Sequence, residues 1–331
     1  MTDRWRPDEW FRRHVEVVLP WGSAYGIART LLAVGLALTL TFSSTESLFP
    51  PGVGLPDTPK CEGIGQYGLF CISIGVPLDA LRIIGAVCLF VVASGWRPRI
   101  TAFPHAYITW SAYNAITVPE GGDQIASILS VLLLPVALSD PRKWHWFRLD
   151  TDPIPRACPS GRPGSRISTH RIAVSIVALT FAKLQVAGLY FQAGIAKLNE
   201  REWLDGTSFY YWYNHDIFGA PQWMYPIFAP IVESDPGVAF LTWSPIILEL
   251  ALATSLLTSL RIRRFLLPAG LALHLGIAVT MGLWSFFCAM AAALILLTVP
   301  VGASLRSFYG IQWPERRDED SGAGKHQMER V

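Results

Sequence analysis

Charge is scarce in this chain. Only 16% of its 331 residues are charged against 51% hydrophobic, and the mean hydropathy is +0.35. Soluble domains carry about a quarter charged residues, so these proportions exclude an ordinary soluble globular protein and point to a polytopic membrane protein. Cysteine is scarce as well. The five cysteines form no CxxC pair and no His-rich tract accompanies them; the gap from Cys61 to Cys71 is too wide for a thioredoxin-like pair, and no metal is expected. The net charge is only +2, and the basic residues fall in clusters between apolar segments instead of one stripe, so no nucleic-acid partner is implied. The opening run MTDRWRPDEWFRRH lacks the short apolar region and small-residue cleavage pattern of a signal peptide, and it is expected to be retained. No internal repeat is visible.

Long apolar runs are plentiful. A spanning helix needs about 20 mostly apolar residues, and about eight segments qualify: 26–44, 78–95, 101–118, 122–139, 171–197, 237–260, 265–282 and 284–302. The expected fold is an all-α polytopic membrane helix bundle. Its domain plan is a cytoplasmic segment over 1–25, a transmembrane domain over 26–302 and a cytoplasmic tail over 303–331 that is polar and disordered after Tyr309. The segment 101–118 carries His105, Tyr107, Ser111 and Asn114 and should face other helices more than lipid. Lys and Arg placement gives the orientation. With the N-terminus inside a bacterial plasma membrane, 21 Lys and Arg fall in inner segments, and only Lys60, Lys197 and Arg201 fall outside. Eight spans with both termini cytoplasmic follow. The Pro-, Gly- and Arg-rich run after Ser139 reads as an inner linker between two four-helix halves.

Two long outer segments result, about 45–77 and 198–236. The first holds Cys61 and Cys71 in the compartment where disulfides persist, and a bond between them is expected. The other cysteines read as small core or surface residues. The second is acidic and crowded with aromatics, among them Trp203, Tyr210, Tyr211, Trp212 and Tyr213. Anchoring at the headgroup level accounts for such crowding. A sharper reading is a lid over a site whose floor includes Lys197, with His215 and Asp216 in reach.

Lys197 ends the apolar run QVAGLYFQAGIAK. An amine at the mouth of a membrane helix can serve as a base, because partial burial disfavours its charged form. At 100° per residue Lys183, Tyr190, Gly194 and Lys197 fall within about 60° of one another on one helix face. Lys183, Glu249 and His274 are each expected near mid-membrane, where an unpaired charge costs at least about 2.5 kcal/mol; they should therefore meet in one intramembrane network, serving either helix register or proton transfer. Arg29 and Arg82 are close enough to span ends to snorkel.

The run YFQAGIAKLNEREWLDGTSFYYW, the block GGDQIASILSVLLLPVALSDPRKWHW from Gly121 to Trp146, and LELALATSLL with HLGIAVTMGLWSFFCAM from Leu248 to Met290 resemble the bacterial sporulation-delaying protein B family. That family is a branch of the membrane proteins related to vitamin K-dependent gamma-carboxylase, the HTTM-domain superfamily, and the resemblance covers about residues 20–302. It implies that Lys197 matches the carboxylase lysine that deprotonates reduced vitamin K at the outer, lumen-equivalent face. It also implies a role in maturing a small secreted toxin peptide with a soluble partner resembling sporulation-delaying protein A. Asp123 in GGDQ stands where the animal enzymes have a histidine, and their large lumenal domain is absent.

Three readings result. In the first the chain is an enzyme-like maturation factor with Lys197 as base and Asp123 and His215 as polar partners. Tyr190, Trp203 and Tyr210 are then candidates for holding a cofactor, a reduced quinone being the class the resemblance suggests. In the second it is a proton-coupled exporter component using Lys183, Glu249 and His274, although broken helices and repeats of the kind transporters use are not seen. In the third it is a non-catalytic assembly subunit whose charges specify packing.

Overall fold

A computed structural model describes residues 19–50, 59–72, 75–147, 149, 168–216 and 219–311. The charged start, most of the 140–170 linker with Cys158, and the polar tail from 312 lie outside these residues. The helices of six or more residues are α1 (Ser23–Phe42), α2 (Leu78–Ala93), α3 (Pro98–Ala115), α4 (Gly121–Leu132), α5 (Leu134–Ser139) and α6 (Thr169–Lys197). They continue through α7 (Ser208–Tyr213), α8 (Tyr225–Val232), α9 (Asp235–Ala253), α10 (Leu260–Met281) and α11 (Trp284–Thr298). Among the described residues the only strand-like pairing is an isolated bridge between Trp96 and Trp144.

Each expected apolar segment holds a helix, but 122–139 is interrupted at Leu133 instead of continuous. Leu133 closes α4, and Pro135 enters the first turn of α5, where its fixed φ suits a helix start and its missing N–H needs no partner. Five stretches are long and apolar enough to cross a membrane: Ser23–Phe42, Gly121–Ser139, Thr169–Lys197, Asp235–Ala253 and Leu260–Met281; Trp284–Thr298 is apolar but shorter. Helix α6 has 29 residues, a length of about 43 Å at 1.5 Å per residue. A hydrocarbon layer is about 30 Å thick, so α6 must tilt or project, and Lys197 stands at its last turn.

Helix α11 is the axis of the bundle. Every residue from Ala289 to Thr298 is buried, as expected for a helix that is hydrophobic all round. Helix α1 lies close against it because small residues meet there: a Cβ on Gly35 would stand 3.0 Å from Cys288 Cβ. Such close backbone approach gives helices dispersion contacts that lipid tails cannot better. One apolar core joins α1, α4, α6, α10 and α11, and a second joins α1, α2 and α3. The opposite face of α6 presents Val174, Val177, Phe181, Leu184, Phe191 and Ile195 outward, an apolar stripe suited to lipid. His105 and Ser111 of α3 are buried against other helices. Beyond α11, the turn Leu305–Phe308 returns Phe308 to the core.

Two arginines behave differently from a snorkelling residue. Arg29 is 1% exposed; it donates to Thr101 Oγ1 at 2.8 Å and Val92 O at 3.5 Å, acceptors inside the bundle that make an excursion to water unnecessary. Arg82 donates to the carbonyls of Leu40 and Ser43 at 2.8 and 2.6 Å. It satisfies the open carbonyls at the end of α1, where the helix dipole also favours a cation. Cys61 and Cys71 are disulfide-bonded, with Cα atoms 5.7 Å apart. The bond closes a short loop from which Phe70 enters the core beside Phe49, ring centroids 5.3 Å apart.

Candidate functional site

The central feature is the end of α6. Its stripe of Tyr190, Gly194 and Lys197 faces α9, and Gly194 permits the approach: a Cβ there would stand 2.9 Å from Leu250 Cδ2 and 3.8 Å from Glu249 Cβ. Lys197 Nζ folds back along the helix, donating to Ala193 O at 3.3 Å and to both Glu249 carboxylate oxygens at 2.8 and 2.7 Å. Trp203, on the turn Arg201–Leu204, lies over the ammonium at 5.3 Å to the ring centroid, a cation–π contact that shields one side of the pair. The covering segment is tied to α9 by Trp243 Nε1 donating to Trp203 O at 3.0 Å and Phe209 N–H donating to Thr242 Oγ1 at 3.1 Å. Gly206 has φ +84° and faces Trp243 and Ala239, so a side chain there would suffer both in backbone conformation and in space.

One layer deeper, Tyr190 Oη meets His274 Nε2 at 2.9 Å. Both side chains are buried, and His274 Nδ1 has no hydrogen-bond partner. The His274 ring stands edge-on to Phe286, centroids 5.4 Å apart. Phe286 in turn backs onto the start of α4, where a Cβ on Gly122 would stand 2.7 Å from Phe286 Cα. There Glu120 and Asp123 form a capping box: the Glu120 side chain accepts the Asp123 N–H, and Asp123 Oδ2 accepts the Glu120 N–H at 3.1 Å. Ser285 donates its hydroxyl to Glu120 as well. Burial pushes the Glu120 carboxyl above its ordinary range, opposed by the hydrogen bonds from Ser285 and the Phe286 backbone. Two sets of contacts thus share this end of the bundle: Lys197 with Glu249 and Trp203, and Tyr190 with His274, Phe286 and, through its backbone, Glu120.

The predicted residues divide accordingly. Lys197, Trp203 and Tyr190 belong to this layer, and Asp123 joins it as a helix cap. His215 and Asp216 do not: they line an open cavity with Asn214, Gln222 and Tyr225, and Lys197 is not on its wall. Tyr210 is turned outward, 44% exposed and edge-on to Tyr211.

The expected network of Lys183, Glu249 and His274 is corrected. Lys183 donates to Leu296 O, Leu297 O and Val299 O at 2.5, 3.1 and 2.6 Å. Those carbonyls close α11 and satisfy the ammonium without a carboxylate. Glu249 pairs with Lys197 and His274 with Tyr190, because α9 packs against the last turns of α6 and leaves Lys183 to α11. Glu120 and Ser285 were not singled out in the sequence. A glutamate three residues before an aspartate at a helix start was the available signal.

Tyr190 offers no open face to a ring-shaped cofactor, since it is 1% exposed with its hydroxyl committed to His274. Among the described residues, no three His, Cys, Asp or Glu side chains come together as a metal would require.

No protein-family profile and no solved structure matches the chain. Two proteins of Bacillus subtilis (strain 168) are similar over most of its length. The uncharacterized protein YitO is 33% identical over 292 residues, 88% of this chain and 89% of YitO. Sporulation-delaying protein SdpB is 32% identical over 290 residues, 87% of this chain and 84% of SdpB. With 33% and 32% identity over 88% and 87% of its length, the chain belongs to the SdpB family.

Proposed function

We propose that this protein is an integral membrane maturation factor acting at the outer face on a small secreted peptide, with Lys197 as general base and Glu249 as its proton-exchange partner. The observation that supports this most is the two-oxygen contact of Glu249 with Lys197 beneath Trp203. A proton passing from Nζ to a carboxylate oxygen removes both charges at once, which a poorly solvated site favours. The neutral amine can then take an acidic proton from a substrate held in hydrogen-bond reach. Sporulation delay is what the name of the SdpB relative states of that protein. For this chain, the maturation of a sporulation-delaying peptide with a soluble partner resembling sporulation-delaying protein A is part of the proposal.

The orientation belongs to the same reading: eight spans in the bacterial plasma membrane, both termini cytoplasmic, resting on the 21-to-3 partition of basic residues. Reporter fusions after Gly54, Arg156, Glu233 and Ala323 should report outside, inside, outside and inside. An outside signal at Arg156 overturns the scheme.

The decisive comparison is the mass of the mature peptide from cells with the wild-type protein, without it, and with Lys197→Arg. Arginine keeps the charge and the cation–π contact but does not deprotonate at working pH. The proposal expects the variant to insert normally and to leave the peptide as it is in cells lacking the protein. Full maturation with the arginine variant removes the base role. The ion pair itself favours one competing reading, a non-catalytic subunit in which Lys197 and Glu249 only lock α6 to α9, and full maturation by Lys197→Arg is the outcome that reading expects. Against the exporter reading weighs that Lys183, Glu249 and His274 each hold a different partner.

A further inference from the structure

Only one face of α6 is filled by this chain. Its stripe of Lys183, Tyr190 and Lys197 meets α11, α10 and α9. On the other side Phe181, Gln185, Gly188, Gln192 and Ile195 are all exposed. They alternate at spacings of four and three residues, a heptad seam that Asn199 continues in the turn after the helix. At 100° per residue the seam falls within about 80°, roughly opposite the Lys197 stripe.

Lipid would complete a purely apolar seam, and this one is not apolar. Gln185 lies about 18 Å along the axis from Lys197 and about 24 Å from Thr169, inside a hydrocarbon layer about 30 Å thick whichever end of α6 projects. Among the described residues neither Gln185 nor Gln192 has a hydrogen-bond partner, and a polar group that faces hydrocarbon without one is costly. In the described residues of the five candidate spans, the other exposed carboxamide is Gln124, in the first turn of its helix. Between the two glutamines Gly188 leaves room. Nothing stands within 4 Å of where its Cβ would be, so a second backbone can come close.

Hydrogen-bond complementarity decides what fits there. Two copies inserted the same way are related by an axis along the membrane normal, so each seam residue meets its own copy at its own depth. Charged side chains would repel their copies. A carboxamide both donates and accepts, so glutamine satisfies glutamine. We infer that this face of α6 is the contact between two copies of the chain, a parallel left-handed pair with Gln185, Gln192 and Asn199 along its axis. Lys197 and Glu249 lie on the far side, so pairing leaves both outer sites open, and it is independent of the base role of Lys197.

The primary measurement is disulfide cross-linking in membranes of the full chain with Cys88→Ala, Cys158→Ala and Cys288→Ala, carrying either Gly188→Cys or the control Leu275→Cys. Leu275 is exposed on α10 at the level where His274 meets Tyr190, so it reports chance collision at a similar depth. Gly188→Cys should give a product of twice the chain's mass, at least about tenfold more than Leu275→Cys gives in the same time. Equal yields, no product, or a Gly188→Cys product of another mass, which would put a different helix on the seam, each overturn the inference.

A second measurement keeps the native cysteines and serves if the cysteine variants do not fold. Subunit counting by single-molecule photobleaching in lipid vesicles compares the wild type with Gln185→Leu combined with Gln192→Leu, since leucine suits both helix and lipid. The wild type should be paired, and the association constant of the double variant should fall about tenfold with the loss of two interhelical carboxamide contacts. Unchanged association, or a wild type that is single at every protein density, overturns the inference.

Discussion

Helix α6 carries two lysines about four turns apart on one stripe, and the bundle treats them in opposite ways. Lys183 is surrounded by the carbonyls of Leu296, Leu297 and Val299. These acceptors stabilise a cation at a helix C-terminus but cannot take its proton. Lys197 meets a carboxylate and an indole face, and a carboxylate can take the proton. The same side chain is thus a clasp at one level and a candidate base at the other. Depth in the membrane does not distinguish them as well as the chemistry of the acceptor does.

The strongest way to break this comparison is to alter the acceptor. Glu249→Gln leaves Lys197 a partly buried cation without its counter-charge. We expect maturation to be lost together with a destabilisation of roughly 3 kcal/mol, the size for removing one partner of a buried pair. Peptide mass and chemical denaturation of the purified protein would check this. Full maturation with only the stability loss would make Lys197 a clasp like Lys183.

A smaller effect is expected at the other lysine. Lys183→Met removes charge-assisted hydrogen bonds to the end of α11 and should cost about 2 kcal/mol, while the peptide made by the folded protein keeps its mature mass. A change in the product instead of its amount would return Lys183 to the functional site. The smallest expected term is the coupling between the two levels. Lys183→Met and Glu249→Gln share no partner, so their stability effects should add within about 0.5 kcal/mol. A larger deviation in denaturation of the double variant would restore the network that the packing of α9 has divided.

Much of this bundle was legible because its signals are local. Apolar length located the helices, with the interruption at Leu133 the main departure, and shared placement of Cys61 and Cys71 in one loop anticipated their bond. The α6 stripe could be read from 100° spacing alone. What could not be read is which helix meets that stripe. Glu249 and Lys183 looked level when each was measured along its own segment, but α9 engages α6 near its end, with Leu250 against Gly194. That offset is set by where Gly194 lets two backbones approach. His215 misled for a related reason: it is near Lys197 in the chain, yet the turn at Gly206 and the docking of Phe209 on Thr242 carry it to another cavity.

The sequence by itself determined that this is a helical membrane protein, where its apolar segments lie, which face of α6 is polar, and that Lys197 ends that face, because hydrophobic length and helical period are properties of neighbouring residues. The tertiary structure alone decided that Lys197 is paired with Glu249, that His274 is held by Tyr190, and that Lys183 closes α11. Partnership between residues many tens of positions apart depends on the register in which helices pack. That register is fixed by the shapes of small and large side chains at the contacts, which no single helix contains.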